Sequence, residues 1–354
     1  MALISPISVT QKIPTTFLQS EGGFLWWYVD VVNDDGDGVV LIFSFGLPFL
    51  PGYAHAARKK EGQTPESRPS VNVAVYQNGK PVFYSLEELH PDDVSWGENR
   101  QWTFGHSTLD IDVETGVCVV HLRCAVPGTS DLLEGTVMVR GTVPDIAFGE
   151  IGDHLWGPLL TPARGTVDLT FGDETFRFEG DGYVDRNGSE KPLHDLGFRS
   201  WTWGRVFDGS CEKVYYILWP VGDGDPTALG FEFHPKSVKQ FALEATFANK
   251  REGFAGMPWH SSIALSKNGV PWLASDAIDV LDNGPFYIRG QFNAAGHRGV
   301  FEWCDPMRVD LSRHRFLVNM RVQNPRRNSM WVPLFTGPAK DRVSRLFKYW
   351  AGGA

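Results

Sequence analysis

The sequence predicts an all-β protein built from sandwiches or barrels. Three observations point there. Short runs of alternating or β-branched residues recur, and turn signals rich in Gly and Asn separate them. Aromatic residues reach 13%, with 13 Trp and 24 Phe, which suits aromatic packing inside sheets or around a cavity. Only one segment, at the end of the chain, has a good amphipathic helical period.

The elements follow in order. Residues 39–45 (VVLIFSF) form a strand entered through the turn DDGDG. Residues 70–76 alternate, QNGK supplies an Asn-Gly hairpin turn, and 81–85 return. Segments 108–113 and 117–123 flank ETG, and 165–171 and 175–179 flank GDE. In the second half, 213–220 and 228–234 flank GDGDP, and 261–265 and 270–274 flank SKNG. Residues 47–63 carry Pro and Gly early and charge late, which predicts a loop with one helical turn. Near the end, Val343, Leu346, Phe347 and Trp350 share one helical face. That predicts a short C-terminal helix, either packed on a barrel or resting on a membrane as a basic interfacial helix.

The 354 residues allow two domains or one large all-β unit. The expected division is 1–200 and 201–354. Lys and Arg number 33 against 42 Asp and Glu, a net charge of −9, which argues against a nucleic-acid partner. No apolar run reaches the length of a membrane span, and the first residues do not read as a secretion signal. The expected location is cytoplasmic or peripheral to the inner membrane. The four cysteines, Cys118, Cys124, Cys211 and Cys304, form no C-x-x-C pair and read as free buried thiols.

Several chemistries are excluded by spacing. H-E-x-x-H, G-x-S-x-G, Walker A and the Rossmann glycine fingerprint are all absent from the sequence. The stretch GDGYVDRNGS (180–189) looks at first like a calcium loop. With Gly188 as the turn glycine, Tyr183 and His194 would fall at the first and last ligand positions, and neither suits calcium. Asn187-Gly188-Ser189 reads instead as a turn closing the segment. No metal site is expected.

Five patches in order resemble the carotenoid 1,2-hydratase (hydroxyneurosporene synthase) family. They are FLWWYVD (24–30), NVAVY (72–76), HLWGP (154–158) followed by Ala163-Arg164, GYVDRN (182–187) continued by FRSWTWGR (198–205), and LDNGPFYIR (281–289). The resemblance they carry extends from residue 24 to about residue 327. Leu25 stands where the family has Glu, and Arg186 precedes Asn187. The resemblance implies two lipocalin-like β-barrel or sandwich domains with a hydrophobic pocket at or near their interface. The wider superfamily also holds terpenoid cyclases and Diels–Alderases.

The resemblance also places Trp156, Tyr183 and Asp185 at the positions of the family's acid chemistry. Hydrating an isolated isoprenoid alkene needs a carboxylic acid kept neutral by burial. Asp185 fits, and Tyr183, two residues away on an extended segment, would point to the same side. Aromatic faces stabilise the carbocation that follows. Trp27, Trp201, Trp203, Arg199 and Asn187 are the candidates for the substrate wall. Arg199 and Arg205 read either as salt-bridge partners or as binders of a polar substrate end. His55 and His154 are further proton-transfer candidates. The expected partner is a hydrophobic isoprenoid or polyene, with no cofactor. A cyclase using the same acid, an acid-free pericyclase and a lipid-binding lipocalin are the alternatives.

Overall fold

The computed structural model describes residues 4–7, 16–46, 48–61, 63–96, 101–125, 131–146, 153–309, 311–319 and 321–323. The all-β expectation holds. Thirteen of the described strands form one curled sheet, and eight more close into a barrel. The barrel is a meander from Phe198–Phe207 to His297–Cys304, whose first and last strands pair antiparallel. Closure removes its free edges. In the middle of the sheet lie Lys80–Glu88, Pro69–Gln77, Gly38–Phe45, Phe24–Val32, Glu174–Ser189 and Leu155–Phe171, side by side in that order.

Alternation along these strands divides the apolar residues into separate cores. In Phe24–Val32, the side chains of Leu25, Trp27, Val29 and Val31 pack inside the curl of the sheet. Phe24, Trp26, Tyr28 and Val32 pack on the other face, against the outside of the barrel. A third core, including Tyr215, Phe292, Phe301 and Trp303, fills the barrel itself. Because the sheet–barrel seam buries one face of each unit, both faces of the central strands are apolar. All four cysteines are buried and unpaired, as expected.

Arg205 bolts the two units together. It sits on the barrel, 1% exposed, and reaches across the seam to Asp30 with two nitrogens and to the Asp181 carbonyl at 3.0 Å. A third nitrogen bonds Glu212 at 3.0 Å on the neighbouring barrel strand.

Three local expectations need correction or placing. The 47–63 region holds a nine-residue helix, Pro51–Lys59, not a single turn. Pro51 is tolerated at its start, and Lys60 ends it in the left-handed region at φ 55°. The turn expected at 187–189 is absent. Asn187, Gly188 and Ser189 continue the Glu174–Ser189 strand and pair with Trp26, Leu25 and Phe24. Gly188 serves packing there: a Cβ would meet the Phe17 ring at 2.8 Å. The amphipathic segment 343–350 lies outside the described residues. Among the described residues no helix is long and apolar enough to cross a membrane.

Candidate active site

The site grows out of one strand. In Glu174–Ser189 the side chains of Tyr183, Asp185 and Asn187 fall on one face, two residues apart, and all three are buried. The adjacent strand, Leu155–Phe171, brings Trp156 opposite Asn187 and Pro158 opposite Asp185. That register lets the Trp156 indole lean over the acid.

The hydrogen bonds form a directed set. Trp156 Nε1 donates to Asp185 Oδ2 at 2.8 Å, and Tyr183 OH donates to the same oxygen at 3.0 Å. Asn187 Nδ2 donates to Oδ1 at 3.0 Å, while its own Oδ1 meets His154 Nε2 at 3.1 Å. Both donors on Oδ2 leave Oδ1 as the oxygen that carries the proton of the neutral acid. Asn187 suits either state, because turning its amide over offers a carbonyl to a carboxylic acid in place of an N–H to a carboxylate.

Burial controls the electrostatics. It pushes Asp185 up to about 8, against the opposing effect of the Trp156 and Tyr183 hydrogen bonds. Burial also pushes the Tyr183 phenol up and pulls His154 down to about 4. The result at neutral pH is a protonated carboxylic acid beside a neutral imidazole.

The acid opens onto a cleft of about 1170 Å³ between sheet and barrel, part of it open to solvent. Two facing rows of side chains line it. On the sheet, Asp185, Tyr28, Ile42, Asn72 and Leu86 pair strand to strand. On the barrel, Tyr216, Trp203, Glu302, Arg289 and Asp282 do the same. Each row spans four interstrand steps, or roughly 19 Å, so the cleft is a slot suited to an elongated ligand. Phe49 and Phe286, both in its lining, stack with ring centroids 5.8 Å apart.

Most of the candidate residues converge here. Asp185, Asn187, Trp201 and Trp203 line the cleft, and Trp156 and Tyr183 stand behind Asp185 and hold it. Trp27 does not join them. It points into the sheet's own core against Trp102, ring centroids 5.4 Å apart, and its neighbours Trp26 and Tyr28 take the cleft wall. Arg199 is exposed and absent from the lining. Arg186 lies on the opposite face of its strand, near Gly157 and Ile7, and burial pulls it down to about 10. Of the histidines, His154 lines the cleft, whereas His55 meets Arg315 at 3.3 Å away from the lining. Sequence reasoning missed Tyr216, Arg289 and Glu302. Arg289 ends the LDNGPFYIR patch; nothing local marks Glu302.

Comparison with known proteins shows what the chain is similar to. The family model for the carotenoid hydratase CrtC matches residues 41–332. The acyclic carotenoid 1,2-hydratase of Thiocapsa roseopersicina is 31% identical over 218 residues, covering 59% of this chain and 51% of that one. The acyclic carotenoid 1,2-hydratase of Rubrivivax gelatinosus is 29% identical over 278 residues, covering 76% and 64%. The chain thus spans about half to two thirds of the length of these relatives. Among solved structures, an AttH candidate from Nitrosomonas europaea aligns with a TM-score of 0.60 at 12% identity, over 85% of this chain and 99% of that one. That last likeness is one of fold.

Proposed function

The chain belongs to the carotenoid hydratase family, and we propose that it hydrates an isolated isoprenoid double bond of a lipophilic, acyclic carotenoid-like substrate. The observation that carries this reading is Asp185: a carboxylic acid raised to about 8 by burial, facing an elongated aromatic slot. An alkene has no lone pair and accepts a proton only from a strong, well-placed donor. A neutral Asp185 supplies one. Protonation at the less substituted carbon leaves a tertiary cation. Trp26, Tyr28, Trp203 and Tyr216 line the same cleft as the acid, and an aromatic face turned to a cation stabilises it by roughly 0.5–2 kcal/mol. Water then adds to the cation. Acid, aromatic walls and water are sufficient for this chemistry, so the proposal invokes no cofactor.

The test uses lycopene in heavy-oxygen water. Wild type should form an alcohol carrying one labelled oxygen. Asp185→Asn should lose that activity by roughly 10²–10⁴-fold, the usual worth of a general acid. An unlabelled, ring-closed product would instead identify a cyclase. Full activity in Asp185→Asn would remove the acid from the mechanism.

A further inference from the structure

Hydration needs a base as well as an acid, because the water that captures the cation must release a proton. Within the slot, Glu302 is the carboxylate in register beside Trp203. The two are direct cross-strand partners, and Trp203 in turn pairs with Tyr216. The Trp156 ring, which holds Asp185, lies 5.1 Å from the Tyr216 ring, so Tyr216 marks the acid's end of the row. Glu302 follows two interstrand steps on, roughly 10 Å away. The Trp203 ring therefore lies between the two carboxyl groups, where an alkene laid along the slot would become a cation. We propose that Glu302 is the general base of the hydration, taking the proton from the attacking water. This rests on the hydratase reading of the site.

The surroundings of Glu302 suit that role. Arg289 Nε donates to its Oε1 at 3.0 Å, and Arg289 Nη1 is fixed by the Tyr76 hydroxyl at 3.1 Å. The side chain is 14% exposed and opens on the cleft. Its charge is close enough to add to the upward push on Asp185, after the larger effect of burial. The other candidates are placed less well. His154 bonds Asn187, which itself bonds Asp185, so it stands on the acid's side of the slot. Asp282, paired with Arg321 at 2.9 Å, lies two interstrand steps beyond Glu302, at the end of the row away from Tyr216.

The step balances. Asp185 transfers its proton to the alkene carbon, forming a C–H bond and a tertiary cation. The water oxygen donates an electron pair to the cation, forming the C–O bond. One water proton passes to Glu302 and returns to Asp185 through solvent in the cleft. The net change is addition of one water.

Deuterium oxide separates the two half-reactions. Reversible protonation by Asp185 washes deuterium into recovered lycopene whether or not water is captured. In Glu302→Gln, that exchange should continue while alcohol formation falls by roughly 10²-fold or more. Exchange also reports that the acid site is folded. Because Gln leaves Arg289 buried without its anion, Glu302→Asp is run beside it. Asp keeps the ion pair but retracts the carboxylate, and should lower the alcohol-to-exchange ratio at least several-fold. The proposal is overturned if either ratio stays at the wild-type value, or if exchange and alcohol fall together. A wild type that makes no alcohol from lycopene defeats the hydratase reading instead.

Discussion

Trp156 donates its indole N–H to Asp185 at 2.8 Å, from a strand 29 residues earlier in the chain. This bond sets the direction of the acid and moderates its proton affinity. A donor on a carboxyl oxygen favours the charged form, so it opposes the effect of burial. Trp156→Phe keeps most of the ring and deletes the donor. The basic limb of the pH–rate profile, expected near 8 in wild type from the raised acid, should then move upward. The rate at pH 7 should fall roughly 10-fold, less than the roughly 10²–10⁴-fold loss from removing a general acid, because a stickier proton is a slower one. Tyr183→Phe should shift the limb the same way. A limb that moves downward in both variants would assign them a different role.

The raised acid also makes stability depend on pH. An unfolded aspartate releases its proton near pH ~3.9, whereas folded Asp185 holds it to about 8. Below the first value the carboxyl is neutral in both states. Between the two, the unfolded chain ionises and the folded one does not, so stability falls by up to ~1.4 kcal/mol per pH unit. Above the second, both are charged and the loss levels off. Asp185→Asn removes this dependence. The melting temperature of wild type minus that of the variant should therefore decline from pH 4 to 8 and flatten beyond. Differential scanning fluorimetry across that range reads it directly, and a difference independent of pH would contradict burial as the cause.

Arg205 is the second residue whose charge is confined by the seam. Burial pushes both Asp30 and Glu212 up, and Arg205 holds them down. Arg205→Met leaves two buried carboxyls facing each other without a cation. At pH 8 the cost should be roughly 3–5 kcal/mol, the usual penalty for breaking a buried pair. At pH 5 the carboxyls can neutralise, and the cost should shrink. Urea unfolding at both pH values measures this. A loss under about 1 kcal/mol at pH 8, within the range of an exposed pair, would mean the cluster is not carrying the sheet–barrel contact.

Some of this was legible in the sequence because the signals are local. Asn-Gly turns located hairpins, and the two-residue spacing of Tyr183 and Asp185 put those two on one face of a strand. The wall of the slot was less accessible. FLWWYVDVV is buried along its whole length, so no exposed face reveals its phase; its one charged residue, Asp30, is itself buried on the face of Trp26 and Tyr28, and Trp27 faces the sheet core rather than the slot. Asn187-Gly188-Ser189 resembles a turn by composition, yet pairing with Phe24–Val32 keeps it extended. Glu302 and Arg289 join the site only through closure of the barrel, which brings strands from distant parts of the chain into register.

The adjacent tryptophans Trp26 and Trp27 test that phase. Successive side chains on a strand point to opposite faces, so these two equal-sized residues occupy different worlds. Trp26 stacks on Phe24 at 4.8 Å and lines the slot, while Trp27 packs against Phe45 and Trp102 inside the sheet. Trp27→Ala removes a core side chain and should cost ~3–5 kcal/mol in stability, with KM nearly unchanged in the fraction that folds. Trp26→Ala widens the slot beside the acid and deletes one π-face. Its KM should rise and its turnover fall by roughly 10-fold together, at a smaller stability loss, since the cleft tolerates solvent where the core does not. Urea unfolding alongside steady-state kinetics on both variants separates them, and the reverse pattern would place the strand in the opposite register.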